Sequence, residues 1–123
     1  AAVDWRIRKG RHVDEDIDAP DGELAVAERD GAPVGYVSMR FDREAKLGRI
    51  PNVVVLKELR GRGLGRRLLE HALGRFRDEG MLVAKIETLE HNPVGRSLYP
   101  SVGFVEVARQ IHFAMRLDQT DPR

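Results

Sequence analysis

A mixed α/β fold with a mostly antiparallel sheet and few helices is what the sequence predicts, and two observations carry that expectation. The first is the stretch from Asn52 to Gly80, which reads as a strand, a basic glycine-rich turn and a helix, with a further strand pattern at Leu82–Glu87. Strand, helix and strand in that order imply a right-handed parallel crossover, with the two strands side by side or nearly so. The second is a pair of strand patterns, Leu24–Arg29 and Pro33–Phe41, around Asp30-Gly31. That dipeptide favours the tight turn of an antiparallel hairpin.

Taken in order, the chain begins with an alternation of Val3, Trp5 and Ile7 against Asp4, Arg6 and Arg8, the period of a half-buried edge strand. Asp14, Glu15, Asp16, Asp18, Asp21 and Glu23 then crowd around one proline and one glycine, which is loop chemistry. This acidic segment is either a solvated connector or an attractor for a cationic amine. After the hairpin and a polar turn over Asp42–Gly48, the run Val53-Val54-Val55-Leu56 has the β-branched, apolar character of a strand buried on both faces. Leu64, Leu68, Leu69, Ala72, Leu73 and Phe76 recur at helical spacing and make one apolar stripe, which Gly80 is placed to stop. Asn92-Pro93 starts a second helix, with Val94, Leu98 and Val102 on its buried side. Pro100 would bend or end it near Tyr99. Phe104–Ala108 and Ile111–Leu117 are the last two strand patterns.

Composition bounds the function. A chain of 123 residues suits a single domain over residues 1–123. Twenty-one basic and 20 acidic residues leave a formal charge of +1, so no global field draws it to nucleic acid or to an anionic membrane. The chain has no cysteine, which excludes disulfides, thiolate metal sites and a covalent cysteine intermediate and suits a cytoplasmic location. No apolar run approaches the roughly 20 residues of a membrane span, and the charged start is not a signal peptide. His12, His71, His91 and His112 are dispersed without ligand spacing, so no metal is expected.

Chemistry concentrates in the glycine turn. Gly61, Gly63 and Gly65 alternate with Arg62 and Leu64, flanked by Arg60, Arg66 and Arg67. Unpaired amides at a helix start, together with the helix dipole, favour an anion such as a phosphate. Arg66-Arg67 stands where a P-loop needs Lys-Ser or Lys-Thr. A dinucleotide fingerprint would put its third glycine at Arg66, although Glu87 sits at a distance reminiscent of the ribose-binding acid. A solvated basic face is the plain alternative.

The spacing Arg60-x-x-Gly63-x-Gly65 resembles that of the GNAT superfamily of acyl-CoA N-acyltransferases. So does a second block, in which Asn92 starts a helix, Tyr99 follows seven residues later and Gly103-Phe104 closes the unit. The resemblance covers about half the chain. It implies a sheet whose central parallel strands splay around the cofactor site, with acetyl-CoA as cosubstrate. In that arrangement Val53, Val54 and Val55 offer backbone groups to the pantetheine arm and acetyl carbonyl. Arg60, Gly61, Arg62, Gly63, Leu64, Gly65 and Arg66 hold the pyrophosphate, and Asn92 contacts the cofactor. Pro51 fits a strand that bulges away from its neighbour.

Two departures from the family pattern stand out. Members commonly carry two helices between the first two strands, and only about fifteen residues lie between Arg8 and Leu24. Apolar surface left uncovered by this short region would favour a homodimer or an open acceptor groove. Many members also place a base in the fourth strand, where this chain has Arg49, Pro51 and Asn52. In the ribosomal-protein N-terminal acetyltransferases of the superfamily, a glutamate five residues before the same asparagine is assigned as proton acceptor, the position of Glu87. Tyr99 is the matching acid. The expected activity is therefore acetyl transfer to a primary amine, of a small molecule or a peptide. A cofactor-binding module without catalysis is one alternative, and a dinucleotide-binding fragment is another.

Overall fold

The computed structural model describes residues 5–10, 21–88 and 93–118. Six strands and two α-helices follow one another as β1 (Arg6–Lys9), β2 (Gly22–Arg29), β3 (Ala32–Asp42), β4 (Leu47–Ile50), β5 (Val53–Val55), α1 (Leu64–Asp78), β6 (Val83–Ile86) and α2 (Pro93–Val102), with a short 3-10 turn at Lys57–Leu59 before α1. The sheet runs β1-β2-β3-β4-β6, and β5 pairs with β3 outside that path. Every pairing is antiparallel except β4 with β6. The expected mixed fold is the one observed.

The hairpin forms where the Asp-Gly pair places it. Asp30 and Gly31 both take positive φ, 52° and 81°, as a two-residue turn matched to strand twist requires. β1 is the edge strand foreseen from the alternation, and Trp5 faces inward. Helix α1 buries Leu64, Leu68, Leu69, Ala72 and Phe76, the stripe read from spacing, against Ala25, Ala27, Val37, Met39 and Phe41 of the sheet. Burying each large apolar side chain of this kind contributes about 1.5–3 kcal/mol. The Phe76 ring meets Phe41 edge-on at 5.2 Å. It also lies so close over β4 that a Cβ on Gly48 would fall 2.4 Å from the ring.

Four expectations need correction. First, the parallel partner of β6 is β4, in the register Leu47↔Val83 to Ile50↔Ile86, and not the valine strand. Pro51, which cannot donate to a ladder, and Asn52 separate β4 from β5, so the chain changes neighbours there. Second, β5 is only half buried, with Val54 41% exposed, because Val53 and Val55 pack against the core and Val54 points to the opposite face. Third, α2 continues through Pro100 to Val102. The proline removes one bond near the end of the helix, where the Gly103 amide donates to Pro100 O and the Phe104 amide to Tyr99 O, so the last turn closes regardless. Its buried side is Gly95, Leu98, Tyr99 and Val102, whereas Val94 is exposed. Fourth, 104–108 and 111–117 are not strands. Residues 104–116 run without a turn or sharp bend and form no ladder among the described residues.

Candidate functional site

The site grows from the change of neighbours at Pro51-Asn52. Ser38 on β3, 1% exposed, anchors it: its hydroxyl accepts from the Asn52 amide at 2.9 Å, and its own amide donates to Asn52 O at 2.9 Å. The Leu56 amide donates to Val34 O at 3.0 Å at the other end of β5. With these two ends fixed, antiparallel alternation turns the Val54 N–H and C=O toward β3 and those of Val53 and Val55 toward the open edge. Of the three valines the resemblance assigns to the cofactor, Val53 and Val55 have backbone groups on the free side and Val54 does not. Ser38 itself had no sequence signal, since a lone serine on a strand gives no hint that it ties a loop fourteen residues away.

The glycine turn then leads into α1. Gly61 and Gly63 take φ of 80° and 88°, a left-handed geometry that costs a residue with a side chain roughly 1–2 kcal/mol. A Cβ at either would meet nothing within 4 Å, so the space above the turn is open. Gly63 is the N-cap and makes no side-chain cap bond, and the amides of Leu64, Gly65 and Arg66 lie in the first turn, where a helix offers them no acceptor. Gly65 is the meeting point of three elements: a Cβ there would lie 3.4 Å from Leu98 of α2 and 3.9 Å from Val55 of β5. Thus the expected cofactor residues of β5 and of the turn come together, with α2 beside them.

The arginines divide. Arg66 pairs with Glu70 at 3.0 Å along the helix, and the Arg67 guanidinium lies 5.7 Å from the centre of the Trp5 ring, so Arg67 supports the fold instead of the turn. Arg60 and Arg62 are exposed and make no ion pair among the described residues; Arg60 reaches Val55 O at 3.5 Å.

Tyr99 is half buried on α2, its ring edge-on to Phe104 at 6.2 Å. Burial pushes its phenol above the ordinary value, keeping the proton on at neutral pH. A Cβ on Gly95 would lie 2.5 Å from Thr88 Oγ1 and 3.2 Å from Tyr99, so the end of β6 touches α2 one turn from Tyr99. Glu87 precedes Thr88 there, exposed and 3.8 Å from Lys85. Asn92 and the acidic residues 14–18 lie outside the described residues, as do His12 and His91. No cluster of metal-ligating side chains occurs among the described residues, and no described helix is long and apolar enough to cross a membrane.

The sheet is thus split at a proline, and a glycine turn opens α1 beside the split. The chain belongs to the acetyltransferase (GNAT) family, whose model matches residues 3–104. It is 32% identical over 87 residues to the IAA acetyltransferase of Azospirillum brasilense, covering 71% of this chain, and 37% identical over 87 residues to an uncharacterized N-acetyltransferase of Archaeoglobus fulgidus, covering 66% of it. The matches span 57% and 58% of those relatives' own lengths. In structure, the chain is similar to the aminoglycoside N-acetyltransferase AAC(6')-Iy in complex with CoA, at a TM-score of 0.78 and 19% identity, over 90% of this chain and 99% of that one. At such identity the likeness is one of fold. Neither that fold nor the mostly antiparallel sheet is a doubly wound dinucleotide fold.

Proposed function

We propose that the protein transfers an acetyl group from acetyl-CoA to a primary amine by direct attack in a ternary complex. The observation that carries this reading is the open, left-handed turn at Gly61 and Gly63, which delivers the unpaired first-turn amides of α1 next to the free edge of β5. The neighbour of this fold that holds CoA supports the same ligand. Leu64, Gly65 and Arg66 would meet the pyrophosphate through their amides, and Arg60 and Arg62 through their charge. Val53 and Val55 would pair with the pantetheine arm through their outward backbone groups. Asn92 keeps the cofactor contact that family resemblance implies.

The chemistry divides among three groups. An amine attacks only as the free base, and a lysine-like amine has a pKa near 10.4, so Glu87 takes its proton, directly or through one water. The Val55 amide donates to the oxygen that gains charge as the C–N bond forms. Tyr99 gives its proton to the sulfur as the C–S bond breaks, and burial has kept that proton in place. No covalent enzyme intermediate is required. A non-catalytic binder of acyl-CoA would keep the turn and lack the acceptor's chemistry.

Turnover against pH with an acceptor found by screening amines distinguishes the two. Tyr99→Phe should lower turnover roughly tenfold to a thousandfold with little change in CoA affinity. Glu87→Gln should lose most at low pH, where few amines are already free, and recover as pH rises. Wild-type turnover in Tyr99→Phe removes the acid assignment, and a screen without any acetylated amine favours the binder.

A further inference from the structure

On the face of the sheet turned away from α1, three cations stand side by side. Phe41, Gly48 and Ala84 share the α1 face: the Phe76 ring meets Phe41 edge-on and leaves no room for a Cβ on Gly48, whose partner on β6 is Ala84. Their chain neighbours Arg40, Arg49 and Lys85 therefore point to the opposite face, because successive side chains of a strand alternate. The register sets these three directly against one another, Arg40↔Arg49 between β3 and β4 and Arg49↔Lys85 between β4 and β6. At about 4.8 Å from strand to strand, the row is roughly 10 Å long. It ends at Gly22, the partner of Arg40 on β2.

Like charges directly opposite each other in a sheet are destabilising, so the fold alone does not account for this row. Two acids share its face along the strands. Asp42 accepts from the Ala45 amide at 3.0 Å, which commits it to the turn after β3, and Glu87 lies 3.8 Å from Lys85. Glu87 is the residue to which the proposed reaction gives the amine's proton. Two residues along the strand, its Cα is about 7 Å from that of Lys85. Arg49 is exposed, and the Lys85 side chain is 39% exposed, so a small molecule held at Glu87 can reach both.

A guanidinium fork matches a carboxylate or a phosphate, and an ammonium adds a point charge. We propose that Arg49 and Lys85 select acceptors that carry an anionic group, a carboxylate or a phosphate, a few atoms from the amine. Arg40 extends the same positive field. The proposal deepens the acetyl-transfer reading and rests on it for the place of the amine, whereas the place of the anion follows from the sheet register. A polycationic amine is repelled by this row. A zwitterion sets its amine on Glu87 and its anion on Arg49.

Matched amines test this selection. β-Alanine against its amide, and phosphoethanolamine against ethanolamine, differ in the anion and share the primary amine. The anionic member of at least one pair should have the higher kcat/KM by about tenfold, the worth of one charge-assisted hydrogen bond. Which pair shows it tells carboxylate from phosphate. Arg49→Gln and Lys85→Gln should each erase most of the preference, Arg49→Lys should keep most of it, and added salt should narrow it. Because it relieves repulsion, Arg49→Gln should melt no lower than the wild-type chain. A lower melting temperature with the preference intact makes Arg49 a structural residue and overturns the proposal, as do equal rates within both pairs. Calorimetric titration of the same four amines into the CoA-loaded chain separates the two readings. Anion-dependent binding that Arg49→Gln abolishes, without acetylation, removes acetyl transfer and keeps this site. No anion-dependent binding removes the site, whatever the turnover.

Discussion

At its N-terminal end α1 starts from a left-handed glycine, with no side-chain cap and an empty space over the turn. Three turns later the same helix leaves little unsatisfied. Phe76 is 2% exposed against Gly48 and Phe41, and Arg75 donates to both carboxylate oxygens of Glu23, at 2.7 and 2.9 Å, and to Glu79 at 3.3 Å. A cavity of about 230 Å³ lies here, with Glu23, His71 and Arg75 in its lining. The difference separates two uses of one helix. Groups paired within the protein hold the fold, and the amides left unpaired at the turn are the ones we propose meet the ligand.

That contrast can be broken most forcefully in the core. Phe76→Ala should cost about 3–5 kcal/mol of unfolding free energy, measured by denaturant titration, while the protein that remains folded binds CoA as before. If CoA affinity fell in proportion to stability, the two ends of α1 would not be separable. At the other end, Gly63→Ala should cost only about 1–2 kcal/mol in stability, from backbone strain. Its CoA affinity should fall roughly tenfold to a hundredfold, the worth of one hydrogen bond to a charged group. Calorimetric titration checks it, and unchanged affinity would detach the turn from the ligand.

The smallest effect is one of pH, and it belongs to the paired end alone. The hydrogen bond from Arg75 holds the Glu23 carboxyl below its ordinary value of 4.5, and burial holds His71 below 6.5. Both folded-state values are depressed, so the unfolded chain binds more protons and stability falls as pH falls. The loss should begin below about pH 6.5 through His71 and continue below about 4.5 through Glu23. Glu23→Gln should flatten the lower part of a stability curve measured against pH. A curve of unchanged slope there would deny the pair its role.

The parts of this fold that sequence reveals are those governed by neighbours along the chain. Asp30-Gly31 dictates its own turn, and the α1 stripe follows from spacing. The glycines at 61, 63 and 65 mark the turn that opens α1. What sequence hides depends on distant partners. The Glu23–Arg75 pair joins residues 52 apart, and nothing in the acidic run before Leu24 distinguishes Glu23 from its neighbours. Pro51 announces a break in the ladder but not that the strand before it, and not the valine strand after it, pairs with β6. Val54 looks like core because β-branched runs usually are, and it is exposed because it points to the face opposite Val53 and Val55, which pack against the core. The helix outlasts Pro100 because the bonds closing its last turn come from Gly103 and Phe104. Residues 105–117 carry a strand's alternation, yet a period specifies only a face, never the partner that covers it.

The central claim is that the turn at Gly61 and Gly63 holds the pyrophosphate of CoA, and thermal unfolding with and without ligand tests it most directly. A ligand that binds only the folded state at a hundred times its dissociation constant adds about 2.7 kcal/mol to apparent stability. CoA and acetyl-CoA should both raise the melting temperature of the wild-type chain in a concentration-dependent way, NAD should leave it unchanged, and Gly63→Ala should need far more CoA for the same rise. A melting temperature that does not move at millimolar CoA would contradict the account.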